Sequence, residues 1–529
     1  MSTTTYPVQS VTHFTTTNKR DTKSEMSNSI QEETAILFQD TNIYLLDIPH
    51  SIALAQEGRP TPHQQPAPES GSGTEKSIRR KTLNLLSCPP IKEPFPSTEP
   101  KKPAALARLL DTIPISERRF HSELILPLVR DSLEVIKDGF SHDRRWCEAR
   151  AVPSESEPHD STAPNQHPRK RRRGNDCAPS ESASDSHVST KDEPPMILST
   201  TSPNDFETLS DLAIVKNPSP EPAILRVGSE HGEETNPPSE YIIPPESSFA
   251  LCTLPLFEAE VDRPSTSNNY PIPGLPHHQK FNLILMDPPW PNKSVRRSKH
   301  YQTHHYSEMD LLTEGLRDIL RVHSHDPKTK PGLHPSEPHP DPPIQSEQSI
   351  AAIWITNAEK SRRAAYGALS GAGFSICEEW IWVKTTWDGQ PISQLDGLWR
   401  KPYEILVIGR KSDHNANADI NANANGDADN IPPLSQMDDL TRVSEAIPTR
   451  RVIAAVPDLH SRKPNLKSIF EDVFFTDAGQ FQEYSALEVF ARNLTAGWWA
   501  AGNEVLRFNA RECWVDLAGE RDTDLHEYA

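Results

Sequence analysis

The chain has 529 residues, enough for about three domains by length, but its composition argues for fewer. It contains 51 prolines and only 35% of its residues are hydrophobic, so a large part of it cannot bury a core. The formal net charge of -19 disfavours nonspecific nucleic-acid binding by the whole chain, although net charge averages over tails and domains.

The six cysteines lie far apart and form no C-x-x-C pair, which predicts a reducing compartment and no disulfide framework. Neither the cysteines nor the histidines show metal-ligand spacing, so no metal is expected. No apolar run approaches the ~18 residues of a membrane span, and the first residues lack the basic and apolar parts of a signal peptide. We therefore expect a soluble intracellular protein with no membrane partner.

The first elements are short and lie in a polar surrounding. Residues 1–103 are predicted to be mostly disordered, with two short strands in the segment 35–49. Residues 104–150 are predicted to be a helical N-terminal element. Its strongest part ends near Gly139, which would cap the helix, and Pro127 suits a first turn. Apolar residues at helical spacing predict one buried face, formed by Ile125, Val129, Leu133, Ile136 and Phe140.

Residues 151–238 are rich in Ser, Pro and Glu and are predicted to be a disordered linker. Inside this linker, residues 169–173 are all Lys or Arg. Such a run can be a solvated charge cluster or a nuclear import signal, and its position in an exposed linker favours the signal. The sequence therefore predicts localisation in the nucleus, with the nuclear import machinery as a partner.

From residue 239 the pattern changes to strand-like runs that alternate with helical stretches, which predicts an α/β sheet over residues 239–515. Two low-complexity inserts, 323–349 and 412–447, interrupt this domain and should be surface loops. Residues 516–529 are predicted to be a C-terminal tail.

The stretch NLILMDPPW, from Asn282 to Trp290, places an acid, two prolines and a tryptophan directly after a predicted buried strand. Ligands of open α/β sheets bind beyond the carboxyl ends of strands, where this turn would lie. Pro288 and Pro289 fix φ and lack an N–H, so the turn would be rigid with free carbonyls. Asp287 and the Pro288 carbonyl could accept both N–H groups of an adenine amine, while Trp290 stacks on the ring.

Four basic residues follow this turn and are candidates for binding the phosphates beside the target base: Lys293, Arg296, Arg297 and Lys299. The amine of adenine is a poor nucleophile because its lone pair is delocalised into the ring. Fixed acceptors would help most in the transition state, where charge develops on the nitrogen. A base inside a duplex cannot reach such a pocket, so the substrate must be single-stranded or flipped. The alternative is an ordinary proline turn with Trp290 in the core.

The chain resembles the DPPW-type adenine N6-methyltransferases, the MT-A-seventy family, and most closely the methyltransferase-like four branch. The resemblance covers roughly residues 241–514 and, more faintly, the helix at 120–140. Besides DPPWPNKSVRRS (287–298), it is carried by YIIPPESSF (241–249), WITN (354–357), EEWIWVK (378–384), RKPYE (400–404), HSRKP (460–464), LEVFARNLTAGW (487–498) and GNEVL (502–506). The departures are the two inserts and Arg462, where the branch leads us to expect histidine.

This resemblance implies a Rossmann-like methyltransferase sheet with helices on both faces and S-adenosylmethionine as the methyl donor. It implies that Lys463 contacts the methionine carboxylate and that Asp287 also contributes to the cofactor site. The residues that it implies for the ribose and adenine of the cofactor are Arg492, Asn503, Glu504, Cys252 and Thr253, with Leu251 beside them. The alternatives are a surface role for Lys463 and a pairing of Arg492 with Glu488.

The expected function is therefore methyl transfer from S-adenosylmethionine to the N6 amine of adenine in nucleic acid, by a monomer. The resemblance favours RNA over DNA, and in particular an internal 2′-O-methyladenosine of a small nuclear RNA. The alternatives are a DNA N6-adenine methyltransferase and a catalytically inactive nucleic-acid-binding subunit. The intact motif, Asp287 to Trp290, argues against the inactive subunit.

Overall fold

The chain is described from a computed structural model. The structure describes residues 34–58, 83–141, 143–153, 194–228, 238–256, 270–290, 307–326, 346–398, 400–411 and 447–516. Two of the predicted functional segments, the basic run at 169–173 and the basic residues at 293–299, lie outside these ranges. Most of both predicted inserts lies outside them as well.

One large sheet contains most of the strands. The strands of the described residues are β1 Ile36–Asp40, β2 Ile43–Leu46, β3 Leu83–Leu85, β4 Met196–Ile197, β5 Asn204–Phe206, β6 Ile214–Lys216, β7 Ala223–Val227, β8 Ser239–Ile243, β9 Ser248–Leu251, β10 Leu283–Met286, β11 Ile350–Ile355, β12 Phe374–Lys384, β13 Tyr403–Lys411, β14 Thr449–Ala455, β15 Thr476–Asp477, β16 Gln480–Phe481, β17 Ala486–Val489, β18 Trp499–Gly502 and β19 Trp514–Asp516. Twelve of them form the sheet in the order β1-β2-β14-β12-β13-β11-β10-β17-β18-β9-β6-β4. The sheet is mostly parallel: β13 is antiparallel to both neighbours, β1 to β2, and β6 to β9.

Helices cover both faces of this sheet. The helices are α1 Ile48–Leu54, α2 Pro103–Thr112, α3 Ile115–Arg119, α4 Leu126–Gly139, α5 Ser307–His323, α6 Glu359–Gly371 and α7 Lys467–Phe474, with a π-helical segment Phe120–Ile125 before α4. Apolar residues of α4, α5 and α6 pack on one face, and those of α1 and α7 pack on the other. The predicted α/β class with helices on both faces is thereby confirmed, and the architecture is Rossmann-like.

The strand β10 lies in the middle of the sheet, parallel to both β11 and β17. Ile284 and Met286 pack on one face of the sheet, and Leu283 and Leu285 pack on the other. A strand covered on both faces needs apolar residues at every position, which explains the unbroken run LILM. Burial of each of these side chains contributes about 1.5–3 kcal/mol.

The carboxyl ends of the parallel strands meet at one edge of the sheet, which we call the ligand edge. It is formed by the ends of β9, β10, β11, β12, β14, β17 and β18 and by the first residues of β13. Because β13 runs antiparallel, its start at Tyr403 lies beside the end of β12, where Val383 is its partner. Loops at this edge can therefore bring together residues that are far apart in sequence.

The N-terminal predictions agree with the structure in two places. The segment 35–49 contains the strands β1 and β2, and β2 extends the large sheet by pairing in parallel with β14, where Ile43 is the partner of Val452. The helix α4 ends at Gly139, has a proline in its first turn and buries the predicted apolar face. The strands β1 and β2 therefore belong to the large sheet, and α4 packs against it.

The predicted disordered linker needs a correction. Residues 194–228 contribute β4, β5, β6 and β7, and β6 joins the large sheet beside β9 with Val215 opposite Phe249. Leu225 and Val215 are fully buried. Each of these strands has only two to five residues and lies between polar and proline-rich turns. The composition of the whole segment, on which the prediction depended, is therefore polar although a few apolar side chains are buried.

The boundaries of two other predicted segments also differ from the structure. Leu83–Leu85 lies in the region predicted to be mostly disordered, yet it pairs with β19. The first insert was expected to begin at His323, but that residue ends α5 and is fully buried. Ser346 and Ser349, at the other end of the insert, are buried too. Buried positions at the ends of an insert do not show in a composition that averages over the whole loop.

In the part of the chain that the structure describes, no helix is long and apolar enough to cross a membrane. Within the same residues, no three His, Cys, Asp or Glu side chains come together where they could hold a metal ion.

The buried histidine His121 contacts the Tyr403 hydroxyl and the Asn357 carbonyl, each at 2.9 Å, and its burial lowers the pKa to about 4. A neutral imidazole at this place serves packing.

Candidate active site

The turn after β10 lies at the ligand edge. The Asp287 N–H donates to Val489 O at 3.3 Å, which continues the pairing with β17 beyond the strand. The Trp290 N–H donates to Pro288 O at 2.8 Å and closes the turn. A carbonyl oxygen has two lone pairs, so one remains available on Pro288 for a ligand. The Asp287 side chain is 23% exposed and can be reached from solvent.

The indole of Trp290 packs into the core. The residue is only 7% exposed, and its Nε1–H donates to the backbone oxygen of Trp354 at 2.7 Å. An indole that is fixed in this way offers little free face to a base. The geometry therefore favours the alternative that the sequence left open, in which Trp290 is a core residue, and the predicted stacking on adenine stays a prediction.

Four charged side chains form a cluster beside the turn, which we call the four-charge cluster: Asp287, Glu404, Lys384 and Lys463. Lys463 Nζ lies 3.1 Å from Asp287 Oδ1 and 2.7 Å from Glu404 Oε2. Lys384 Nζ lies 2.5 Å from Glu404 Oε1. The cluster contains two ammonium and two carboxylate groups, so its formal charges cancel. Lys463 is thus a residue of the ligand edge and not a separate surface charge.

The protonation of this cluster follows from its neighbours. Burial opposes the ionisation of Glu404, but the ammonium groups of Lys463 and Lys384 outweigh burial and lower the pKa to about 2. Burial also opposes the charge of Lys463, and the Asp287 and Glu404 carboxylates outweigh it and raise the pKa of the lysine. Both groups are therefore charged at neutral pH.

A further carboxyl group, Glu488, lies on the same side of the sheet. Glu488 in β17 is the register partner of Leu285 in β10, and Asp287 follows two residues later, so all three share one face. Burial, and then the nearby Asp287 carboxylate, raise the pKa of Glu488 to about 8. The sequence offered Glu488 only as an alternative partner of Arg492. In the structure Arg492 forms its ion pair with Glu504 instead.

Arg492 instead joins two loops of the ligand edge. Its Nε lies 3.0 Å from Glu504 Oε2, and its Nη1 donates to Ser461 O at 3.1 Å. Glu504 is also paired with Arg507 at 2.8 Å. Asn503, next to Glu504, is exposed. Three of the residues implied for the cofactor's ribose and adenine are therefore brought together beyond the ends of β17 and β18.

The segment Cys252–Thr253 reaches the same place from β9. The Cys252 N–H donates to Gly502 O at 3.2 Å, directly before Asn503. Burial raises the pKa of the Cys252 thiol to about 12, so the thiol stays neutral, whereas Thr253 is exposed. The predicted cofactor residues thus form one continuous edge from β9 to β14. The predicted phosphate-binding residues at 293–299 lie outside the described residues.

Comparison with known proteins shows which proteins this chain is similar to. A model of the MT-A70 (MT-A-seventy) family matches residues 340–436. The N6-methyladenosine RNA methyltransferase MTA1 of Cryphonectria parasitica is 34% identical over 241 residues, which is 45% of this chain and 55% of that protein. The N(6)-adenine-specific methyltransferase METTL4 of Homo sapiens is 31% identical over 275 residues, 51% of this chain and 44% of that protein.

The chain is similar to MT-A70 methyltransferases. The recognised resemblance is thereby confirmed. A more distant relative, the DNA N6-methyl methyltransferase of Caenorhabditis elegans, is 23% identical over 275 residues, 51% of this chain and 54% of that protein. The chain spans about half the length of the curated relatives that it matches.

Glu404 and Lys384, which lie within the residues that match the MT-A70 model, complete the four-charge cluster. The sequence did not predict that either of them contacts the same group as Lys463. Glu404 ends the RKPYE segment, and Lys384 ends EEWIWVK. The structure pairs Lys384 with Glu404. The available signal was the opposite charge of the last residues of EEWIWVK and RKPYE. Trp380 and Trp382, in the same segment as Lys384, are buried.

The donor set of the ligand edge fits S-adenosylmethionine, the methyl donor that the resemblance implies. The cofactor has a carboxylate, an ammonium group, ribose hydroxyls and an adenine ring. The Lys463 ammonium suits the carboxylate, and the Asp287 carboxylate suits the ammonium group. Glu504 and Asn503 supply exposed acceptors and donors for hydroxyl groups. The chemistry at the ligand edge is therefore complementary to each polar part of this cofactor.

Proposed function

We propose that this protein transfers a methyl group from S-adenosylmethionine to the N6 amine of adenine in nucleic acid. The observation that carries the proposal is the position of Asp287, at the end of the central strand β10, 3.1 Å from the Lys463 ammonium and beside a carbonyl with a free lone pair. The names of the relatives, which are RNA, adenine-specific and DNA N6-methyltransferases, support the same chemistry.

The reaction needs the amine to be held and its lone pair to be directed. The Asp287 carboxylate and the Pro288 carbonyl accept the two N–H groups, which favours a pyramidal nitrogen whose lone pair points away from the ring. When bound, S-adenosylmethionine supplies the electrophilic methyl group on its sulfonium. Lys463 keeps the Asp287 carboxylate in place through the short contact between them. Holding both partners in line supplies most of the remaining acceleration.

A proton has to leave the nitrogen once the methyl group is attached. The Asp287 carboxylate already accepts an N–H from the amine and can take this proton at its Oδ atoms. Glu488 lies on the same face of the sheet and interacts electrostatically with Asp287. The Asp287 side chain is 23% exposed, so the proton can pass from it to solvent.

We infer that the nucleic acid is RNA, and that the target is an internal 2′-O-methyladenosine of a small nuclear RNA. The family branch and the RNA methyltransferase of Cryphonectria parasitica support RNA, and the relative from Caenorhabditis elegans keeps DNA as the alternative. In this proposal, Lys293, Arg296, Arg297 and Lys299 bind the phosphates on either side of the flipped adenosine.

The test is methyl transfer to short oligonucleotides of one sequence, with nucleosides identified by mass spectrometry. The set contains RNA and DNA, single- and double-stranded, with and without a 2′-O-methyl group on the target adenosine. N6-methyladenine should form fastest in single-stranded RNA that carries the 2′-O-methyl group. Faster methylation of duplex DNA than of every RNA would overturn the RNA assignment and leave the adenine chemistry intact.

The role of Asp287 is tested in the same assay. Asp287→Ala should lower kcat/KM by at least about a hundred-fold, because an acceptor that acts on developing charge is lost. Asp111→Ala, on the exposed side of α2, is the matched control and should retain activity. Wild-type turnover in a folded Asp287→Ala protein would exclude the assigned role.

The location is a separate proposal. We propose that residues 169–173 bind the nuclear import machinery and bring the protein to the nucleus, because an exposed run of Lys and Arg is the feature that import receptors recognise. Deleting these residues should move the protein out of the nucleus and leave its activity in vitro unchanged. Nuclear accumulation of the deletion variant would reduce the run to a solvated charge cluster.

A further inference from the structure

The loop that carries Lys463 is held by an arginine from a distant part of the chain. Arg150 Nη2 donates to Val456 O at 2.8 Å, and its Nη1 donates to Pro457 O at 3.0 Å. The same Nη1 also donates to Cys88 O at 3.2 Å. The Arg150 side chain is only 2% exposed. One guanidinium thus joins the backbone after β14 to the backbone after β3.

Asp458, in the same loop, makes a second set of contacts to this segment. Its Oδ1 accepts from the Cys88 N–H at 3.0 Å and lies 3.8 Å from Arg150, and its Oδ2 accepts from the Ser87 hydroxyl at 3.4 Å. Asp458 also forms an ion pair with Arg462 at 2.5 Å. The Asp458 side chain is fully buried, so these contacts are poorly screened by solvent.

Arg462 points into this buried region although it precedes Lys463. Its Nη1 donates to Leu86 O at 2.9 Å, and its guanidinium carbon lies 4.4 Å from the centre of the Phe508 ring. Ser461 has φ +70°, a left-handed conformation that is costly for a residue with a side chain. The backbone therefore turns sharply here and sends Arg462 inward and Lys463 to the ligand edge.

We propose that Arg150, together with the backbone of residues 86–88, is a positioning element for Lys463 and so for the binding of the cofactor's carboxylate. This inference rests on the proposed function, in which Lys463 contacts that carboxylate. None of the positioning groups touches the four-charge cluster or the Asp287 turn through a hydrogen bond or an ion pair in the described residues. They act by fixing residues 456–462, and Lys463 is the next residue.

Arg462 gains a role that the resemblance did not supply. From the resemblance it was only a departure from an expected histidine. In the structure its charge is balanced by Asp458, and its Nη1 also donates to the Leu86 carbonyl. One Nη1 makes both contacts, whereas a histidine ring nitrogen carries at most one N–H. Arg462 therefore helps to hold residues 86–88 against the loop that carries Lys463.

The substitution that tests the proposal is Arg150→Met. This substitution removes the hydrogen bonds from the guanidinium to the Val456 and Pro457 carbonyls. Asp458 and Arg462 remain as a buried ion pair whose charges cancel. The dissociation constant for S-adenosylmethionine, measured by calorimetry, should rise about ten-fold, because a charge-assisted hydrogen bond weakens when its donor is displaced. At saturating cofactor kcat should change much less than KM, and Arg150→Lys should restore part of the affinity.

The matched control is Arg144→Met, in the same segment. Arg144 is 57% exposed, and its partner Glu148 is exposed as well. Its replacement should change cofactor affinity by less than about two-fold, as surface substitutions do. If folded Arg150→Met protein binds the cofactor as wild type does and only its thermal stability falls, the arginine serves stability alone and the proposal is overturned.

A measurement on the wild-type protein covers the case in which Arg150→Met does not fold. Hydrogen–deuterium exchange with and without S-adenosylmethionine should show slower exchange at residues 83–88 and 143–151 as well as at 456–465. Protection of 456–465 without the two distant segments would contradict the coupling. A wild-type protein that does not bind S-adenosylmethionine would instead contradict the proposed function, and the positioning role would fall with it.

Discussion

At the scale of single residues, the ligand edge places two glutamates in opposite environments. Glu404 lies between two ammonium groups and has a pKa lowered to about 2, whereas burial raises the pKa of Glu488 to about 8. At pH 7 Glu404 is ionised and most of Glu488 is protonated. Carboxyl groups whose environments separate their pKa values in this way are typical of acid–base sites.

The raised pKa of Glu488 predicts how stability depends on pH. Between the ordinary value of 4.5 and about 8, the folded protein keeps a proton that the unfolded chain releases. The stability associated with this group is therefore complete below pH 4.5 and is lost as pH rises through 8. Glu488→Gln should be as stable as wild type near pH 5 and more stable near pH 8, as measured by urea unfolding. Equal pH dependence in both proteins would show that Glu488 ionises normally.

Single residues also show how far the site was predictable. The turn after the buried strand predicted Asp287, and the resemblance to the family implied Lys463 and Arg492. The contact between Lys463 and Glu404 could not be read in this way, since it depends on β13 running antiparallel between β11 and β12. The burial of Trp290 could not be predicted either, because a tryptophan after a proline turn can lie in a core or at a surface.

At the scale of elements, the end of β18 is shaped by one close approach of two backbones. Gly502 has φ +145°, and a Cβ at this residue would lie 3.3 Å from the Cα of Phe490. Phe490 itself has φ +63°, which is uncommon for a residue with a side chain. Both strained positions lie beside Asn503 and Arg492, where the cofactor's ribose and adenine are expected. Strain of this kind concentrates at ligand sites.

This approach gives a prediction for glycine substitutions. Gly502→Ala should lower the free energy of unfolding by about 1–3 kcal/mol because of its φ and the crowded Phe490 backbone. Gly367→Ala, inside α6, is the matched control. Its Cβ would meet Thr313 at an ordinary 3.6 Å, and alanine favours a helix over glycine by about 1 kcal/mol. Denaturant unfolding compares the two; equal effects would show that Gly502 is not needed for this turn.

The elements that the sequence predicted are those with enough apolar residues to show a period. The helix α4 and the strand β10 are of this kind. The short strands β4 to β7 are not, because each has only two to five residues, too few to show a period, although Val215, Ala223, Leu225 and Val227 are buried. The π-helical segment at Phe120–Ile125 also has no such mark.

At the scale of the whole molecule, the segment 34–141 completes the large sheet. The strand β2 covers the side of β14, and α1 and α4 cover parts of both faces. Without them β14 would become an edge strand, with Val452 and Ile453 beside unpaired backbone groups. Exposed apolar edges of this kind promote association between chains.

A truncation experiment follows from this arrangement. A fragment of residues 239–516 contains every quoted motif that carries the resemblance, but it should aggregate or bind dyes that detect exposed apolar surface. A fragment of residues 34–516 keeps β2, α1 and α4 and should elute as a single folded species. Size-exclusion chromatography and circular dichroism compare the two. A soluble 239–516 fragment with the melting temperature of the longer one would show that the N-terminal segment is dispensable for folding.

The pairing of β2 with β14 also sets an order of events during synthesis. Asn42 and Arg451, which are hydrogen-bonded beside these strands, are 409 residues apart in the chain. At about 5–20 residues per second, a ribosome that has just released β2 needs on the order of 20–80 s more to deliver its partner. Throughout that time the emerging strand has no place in the sheet, so β2 has to stay accessible until β14, in the last sixth of the chain, has been translated.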